Sequence, residues 1–248
     1  MVTMPGGIDA YYTAITALQS QVFAGQREQL HAVAQVMIDT VQQDRRIFTF
    51  GTGHSHMLAE ESHFRAGGLA NAVPMLLSAL MLHDSARLSG ELERTPGVAR
   101  ALFNRYQPQA GEMLFIYSNS GVNAVPVEMA LVAKEHGLLT VAVCSLAYVR
   151  SAPPSGPGQR LSDVVDFVID NGTPPGDGLI ALDGSAWRVG PGSTVIGALI
   201  WNALITEVAI QLQNRSGAAP VYVSSNLPGA AEHNAALLSK WQTRNPHI

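Results

Sequence analysis

One cysteine in 248 residues, Cys144, excludes an intramolecular disulfide. It stands in the apolar run from Leu139 to Cys144, where it reads as a small buried strand residue suited to a reducing interior. Charge is scarce as well: only 14% of residues are Asp, Glu, Lys or Arg, the formal net charge is −4, and no basic cluster occurs. That removes the electrostatic argument for nucleic acid or an acidic membrane surface as partner. The first residues lack the basic start, apolar centre and small-residue cleavage site of a signal peptide, so the expected location is cytoplasmic.

Long apolar runs are few. Residues 72–82 are too short to span a bilayer, and 195–212 are long enough but carry Asn202, Thr206, Glu207 and Gln211. The second run reads as a helix packed against a sheet or a partner subunit. Nucleotide motifs are missing too: Gly51-Thr52-Gly53 follows a strand-like run, but position 56 is His, so the dinucleotide spacing G-x-G-x-x-G fails. No Gly-Lys-Ser or Gly-Lys-Thr triplet occurs anywhere. No cofactor is expected.

What is present is 47% hydrophobic residues, ample for a packed core, in an alternating pattern. Apolar residues at helical spacing over 8–43 predict one or two amphipathic helices, so residues 1–46 form a helical segment packing on the domain or on a partner subunit. From 47 to 248 the chain reads as one α/β domain. Strands are predicted at 47–50, near 72–77, at 113–117, 139–144 and 164–169. Helices are predicted from 56 to about 66, from 96 to about 106, over 124–136 and 194–212, and from about 230 to 241. The Pro- and Gly-rich stretch 151–158 reads as a surface loop. The fold class is a three-layer αβα sandwich around a mostly parallel sheet, flavodoxin-like, with N-terminal and C-terminal helices packing on it.

In such a sheet, ligands bind at the carboxyl ends of the strands. Two polar turns fall there. Ser118-Asn119-Ser120-Gly121-Val122-Asn123 joins a strand to a helix, and its amides at a positive helix end suit an anion such as phosphate; the bland reading is a serine-capped turn. Gly51-Thr52-Gly53-His54-Ser55 is the second.

Titratable residues supply candidates for proton transfer. Glu207 is the only charged residue between Ser193 and Gln213, so a buried position would need a partner or raise its pKa, as a base near neutral pH requires. The alternative is exposure beside Gln211 and Asn214. On the helix after the glycine turn, Glu61 and Arg65 form an i, i+4 pair, and Glu60 shares a face with His56 and His63. Imidazole and carboxylate at that spacing suit zinc, but no further ligand is fixed and no metal is assigned.

The turns G-T-G-H-S and S-N-S-G-V-N, with Asp170-Asn171-Gly172-Thr173-Pro174-Pro175-Gly176-Asp177, His54-Ser55-His56 and Arg65-Ala66-Gly67-Gly68, resemble the SIS (sugar isomerase) domain family. The likeness is to its short, single-domain, phosphoheptose-isomerase-like members and covers roughly residues 8–245. It implies phosphate and sugar contacts from Gly53, His54, Ser55, Ser118, Asn119, Ser120 and Gly121. A threonine is commoner where this chain has Asn123, which leaves that side chain's contact to phosphate open. It also implies an active-site role six residues past Ser55, at Glu61, with Glu60 as fallback, and substrate contacts from His233 and Asn234 near the C-terminus. A capping or surface role for the last two is equally compatible with the sequence.

The expected activity is an isomerase or C3-eliminating lyase acting on a hexose or amino-sugar 6-phosphate, with Glu61 or Glu207 as base and His233 as acid or sugar contact. The alternative is a sugar-phosphate sensor, although residues 1–46 are neither basic nor long enough to add a DNA-binding helix-turn-helix to a packing helix. The long apolar helix points to a homodimer or homotetramer with shared sites.

Overall fold

A computed structural model of the chain describes residues 6–154 and 158–248; part of the loop expected at 151–158 lies outside the described residues. Two helices come first, α1 (Gly7–Gly25) and α2 (Arg27–Gln42). Strand β1 (Ile47–Gly51) follows, then α3 (His56–Glu61) and β2 (Ala72–Pro74). Helices α4 (Ala86–Leu92) and α5 (Val98–Tyr106) lead to β3 (Met113–Tyr117), α6 (Ala124–Glu135) and β4 (Leu139–Cys144). Short helices α7 (Leu146–Ser151) and α8 (Leu161–Val164) precede β5 (Phe167–Asp170). A hairpin of β6 (Gly178–Ala181) and β7 (Arg188–Pro191), helix α9 (Ser193–Ser216) and helix α10 (Ala230–Trp241) complete the chain.

The five strands β1 to β5 form one parallel sheet in the order β2-β1-β3-β4-β5. Successive side chains of a strand point to opposite faces. On one face Met113, Phe115 and Tyr117 pack with α1, α2, α9 and Leu58 of α3; on the other Leu114 and Ile116 pack with α5 and α6. Burial on both faces is why these strands read as continuous apolar runs rather than alternating ones. The hairpin β6–β7 is antiparallel and separate, and its sequence gave no strand signal.

Helix α9 is long and apolar enough to cross a membrane by length and composition. Here it lies along the sheet, burying Ile196, Ile200, Trp201, Leu204 and Val208 in the core. Helix α10 closes the opposite end: Trp241 packs with Ala70 and Tyr222, and Arg244 donates to Asp44, just before β1 begins.

Strand order reverses between β1 and β3, because β1 leads to β2 on one side while β3 and its successors run to the other. Such a switch point leaves a crevice beyond the carboxyl ends of the two central strands. Both polar turns leave the sheet at that point. Gly51 is required there: a Cβ on it would lie 2.3 Å from the carbonyl oxygen of Ser55.

Candidate functional site

The crevice is an open cleft of about 290 Å³. Thr52, His54 and Ser55 line it from the turn after β1, and Ser118, Asn119, Ser120 and Asn123 from the turn after β3. Glu93 and Arg94, just past α4, form another wall, with Tyr148, Asp177 and Ser193 opposite. A smaller recess below it reaches Leu58, Tyr117, Asn171 and Thr194. Six of the expected binding residues therefore converge. Gly53 and Gly121 shape their turns instead, Gly121 at a φ of 59° with its amide donating to Ser118 Oγ at 3.3 Å.

The serine turn feeds directly into the amino end of the 12-residue helix α6, where the Val125 amide donates to the Glu93 carbonyl at 3.0 Å and Pro126 carries no N–H, so the helix acts on the loop through its positive end rather than through a set of free amides. Among the described residues the hydroxyls of Ser55 and Ser120 have no partner, so both are available to a ligand. Asn119 differs from expectation: its carboxamide oxygen accepts from Asn171 Nδ2 (2.8 Å) and Thr173 Oγ1 (3.0 Å), tying the serine turn to the loop after β5. Asn123, whose contact the sequence left open, donates from Nδ2 to Glu93 Oε1 at 2.9 Å.

Glu93 was not visible as a site residue in the sequence. Thr52 Oγ1 donates to its Oε2 at 2.8 Å and Arg94 Nη1 lies 3.0 Å from Oε1, leaving its side chain 16% exposed and fixed in the wall of the cleft. Asp177, the last residue of the 170–177 motif, is the second carboxylate the sequence did not mark as a site residue. It accepts from the amides of Gly192 and Ser193 and from the Ser193 hydroxyl, capping the 24-residue helix α9 from outside it.

Glu61 lies at the end of α3, with Arg65 Nη1 donating to Oε2 at 2.9 Å and Asn202 Nδ2 of α9 reaching Oε1 at 3.4 Å. It is electrostatically close to Tyr117, which lines the recess: burial first, then the charge of Glu61, pushes the Tyr117 hydroxyl pKa up, and that hydroxyl has no partner among the described residues. Glu60 is exposed and lines neither the cleft nor the recess within the single chain.

Glu207, expected as a buried base, is corrected. It is half-buried against α2, accepts from Gln211 Nε2 at 3.0 Å, and stands 14 residues along α9 from Ser193, about 20 Å from the cleft. His233 and Asn234 are corrected as well: both sit at the amino end of the sheet. His233 Nε2 donates to Val221 O at 2.9 Å, while the Asn234 carboxamide accepts from and donates to the Val223 backbone. Within one chain neither reaches the cleft.

His56, Glu60 and His63 do not gather: among the described residues no group of His, Cys, Asp and Glu is placed to hold a metal ion. His63 instead lies with its ring 5.7 Å from that of His247. His56 is 0% exposed with both ring nitrogens unpartnered, and burial, with a smaller contribution from nearby His83, holds its pKa at about 4. Its folded-state pKa is below the unfolded value of 6.5, so the stability it contributes is full above pH 6.5 and is lost as pH falls toward 4. Lowering the pH from 7.5 to 5 is expected to remove about 2 kcal/mol through this group alone. Urea unfolding across that range measures it, and His56→Leu should flatten the profile. An unchanged slope in His56→Leu would show that His56 is not the titrating group.

A twisted parallel sheet, helices on both faces and a polar crevice at its switch point define a class of α/β ligand-binding domain. The chain belongs to the SIS domain family, whose model matches residues 10–145. It is 42% identical over 240 residues to a UPF0309 protein of Brucella canis, covering 97% of this chain and 98% of that one. Its fold is similar to phosphoheptose isomerase GmhA from Neisseria gonorrhoeae, with a TM-score of 0.55 at 16% identity over 81% of this chain and 96% of the other. The Vibrio vulnificus NanR protein complexed with ManNAc-6P is similar at TM-score 0.50 and 15% identity, over 98% of this chain and 70% of that one.

Proposed function

We propose that the cleft binds the open-chain form of a hexose or amino-sugar 6-phosphate and that the protein acts on it as an isomerase or a C3-eliminating lyase. The observation that carries this reading is the meeting of the two polar turns in one cleft at the strand-order switch point. Phosphate would sit at the serine turn, held by the Ser118 and Ser120 hydroxyls and the amino end of α6. The sugar would then extend across His54 and Ser55, with Glu93 taking hydroxyl protons as hydrogen-bond acceptor. Family membership and the fold shared with gonococcal phosphoheptose isomerase support the substrate class.

Glu61 is the proposed base. Taking the proton at C2, beside the C1 carbonyl, leaves an enediolate. Transfer of the O2 proton to O1, with the proton taken from C2 delivered to C1, gives the ketose; loss of the C3 substituent with its bonding electrons, followed by its protonation, gives the elimination product. The second copy expected from the sequence has a surface to use. Val195 and Ile210 on α9 are 40% and 51% exposed, and Met57 and Phe64 beside Glu61 are 46% and 47% exposed. A homodimer or homotetramer closed over this face would dry the Glu61–Asn202 contact, and only another subunit could bring a His233 to the cleft.

The test is to incubate hexose and N-acetylhexosamine 6-phosphates with the protein in deuterated water and follow them by NMR. Deuterium at C2, with a ketose or an eliminated product, is the expected result. Saturable binding without exchange would replace the enzyme with a sensor, and neither binding nor exchange with any member of the panel would overturn the reading.

A further inference from the structure

A second pocket, of about 190 Å³, lies between α2 and α9, at Ala203, Leu204 and Glu207, well along α9 from the Ser193 end that lines the cleft. Its floor is apolar, built from Phe23, Leu30 and Leu204 among others, and three ionisable side chains stand around it. Arg27 and His31, one turn apart on α2, form the exposed rim; Glu207 faces them from α9. Among the described residues the side chains of Arg27 and His31 have no hydrogen-bond or ion-pair partner, and Glu207 has only Gln211.

The charges select the ligand. Arg27 and Glu207 line the same small pocket with no ion pair between them, so a guanidinium and a carboxylate both border an apolar floor. A phosphorylated sugar would bring two negative charges against Glu207, and a hydrocarbon would leave both charges facing it unpaired. A group with one positive end, one negative end and an aliphatic body satisfies all three surfaces at once. Size sets a limit too: the volume holds roughly six waters and is below the 300 Å³ or so of a drug-sized site. We propose that this pocket is a binding site for a free aliphatic α-amino acid, its carboxylate on Arg27, its ammonium on Glu207 and its side chain on the Phe23–Leu30–Leu204 floor.

The proposal does not depend on what the cleft binds. It is tested by titrating the ¹⁵N-labelled full chain with L-leucine and watching amides of α2 and α9. Saturable shifts confined to those helices are expected. 4-Methylpentanoate, which lacks the ammonium, and isoamylamine, which lacks the carboxylate, should bind about tenfold or more weakly, as should leucine to Arg27→Met and to Glu207→Gln. Arg27 is at the surface, so its variant should fold; a wild-type amide spectrum away from the pocket verifies that. No saturable shift with leucine, isoleucine or valine would overturn the proposal. So would equal binding of the two analogues, equal binding by Arg27→Met, or contacts from a second copy of the chain filling the pocket.

Discussion

Glu112→Ala is expected to destabilise the protein by about 3–5 kcal/mol, read as a lowered urea midpoint at unchanged slope. Glu112 is 1% exposed at the start of β3 and is held by four donors: the Arg46 Nε at 2.6 Å, Nη2 at 2.7 Å, the Arg46 amide at 3.2 Å and the Gln109 amide at 2.7 Å. The guanidinium also donates to the carbonyls of Tyr106, Gln107 and Arg244, so it joins β1, the end of α5 and the segment after α10. Removing the carboxylate strands a buried cation whose other partners are only dipoles. The cost comes from that uncompensated charge rather than from the worth of the pair, since desolvation offsets most of the Coulombic gain of a buried ion pair. The double variant Arg46→Met, Glu112→Leu should therefore recover much of the loss. A single variant within about 0.5 kcal/mol of wild type would show that the end of the sheet relaxes to let water in.

The sheet was legible because its signals are local. Strands β3 and β4 have the bounds their apolar runs suggest, each ended by serine or a turn. Helix α3 was expected to reach about residue 66 but stops at Glu61. There the Ser62 hydroxyl bonds to Thr49 and to the Ala59 carbonyl, and Phe64 takes a positive φ of 46°. Those are tertiary causes.

The site divides the same way. Both turns are contiguous in the sequence, so their place at the carboxyl ends of β1 and β3 was legible. Glu93 lies beside Glu91 and Arg94 in a stretch that reads as solvated helix, and it becomes a cleft residue only through Thr52 and Asn123, 41 and 30 positions away. For Glu207 the sequence marks an unusual carboxylate but not its direction, because a 24-residue helix offers several faces and this one turns it to α2.

Glu61→Gln is expected to lower turnover, and deuterium incorporation at C2, by about 10²–10⁴-fold with KM little changed. The amide keeps the size of the side chain and can still accept from Asn202, so the loss would measure proton abstraction rather than packing. Glu93→Gln separates a second role. Its carboxylate is already occupied by Thr52, Asn123 and Arg94, which suits a fixed acceptor for sugar hydroxyls better than a group that must gain and release a proton. Its expected signature is a KM raised about tenfold, with exchange at saturation close to wild type. The two variants therefore divide kcat from KM between the two glutamates. Exchange retained in Glu61→Gln and abolished in Glu93→Gln would move the base to the wall of the cleft. Retention in both would remove the proton-transfer chemistry from this cleft, because its lining carboxylates are Glu93 and Asp177, Glu61 standing behind the recess beside Tyr117, and Asp177 is consumed in capping α9.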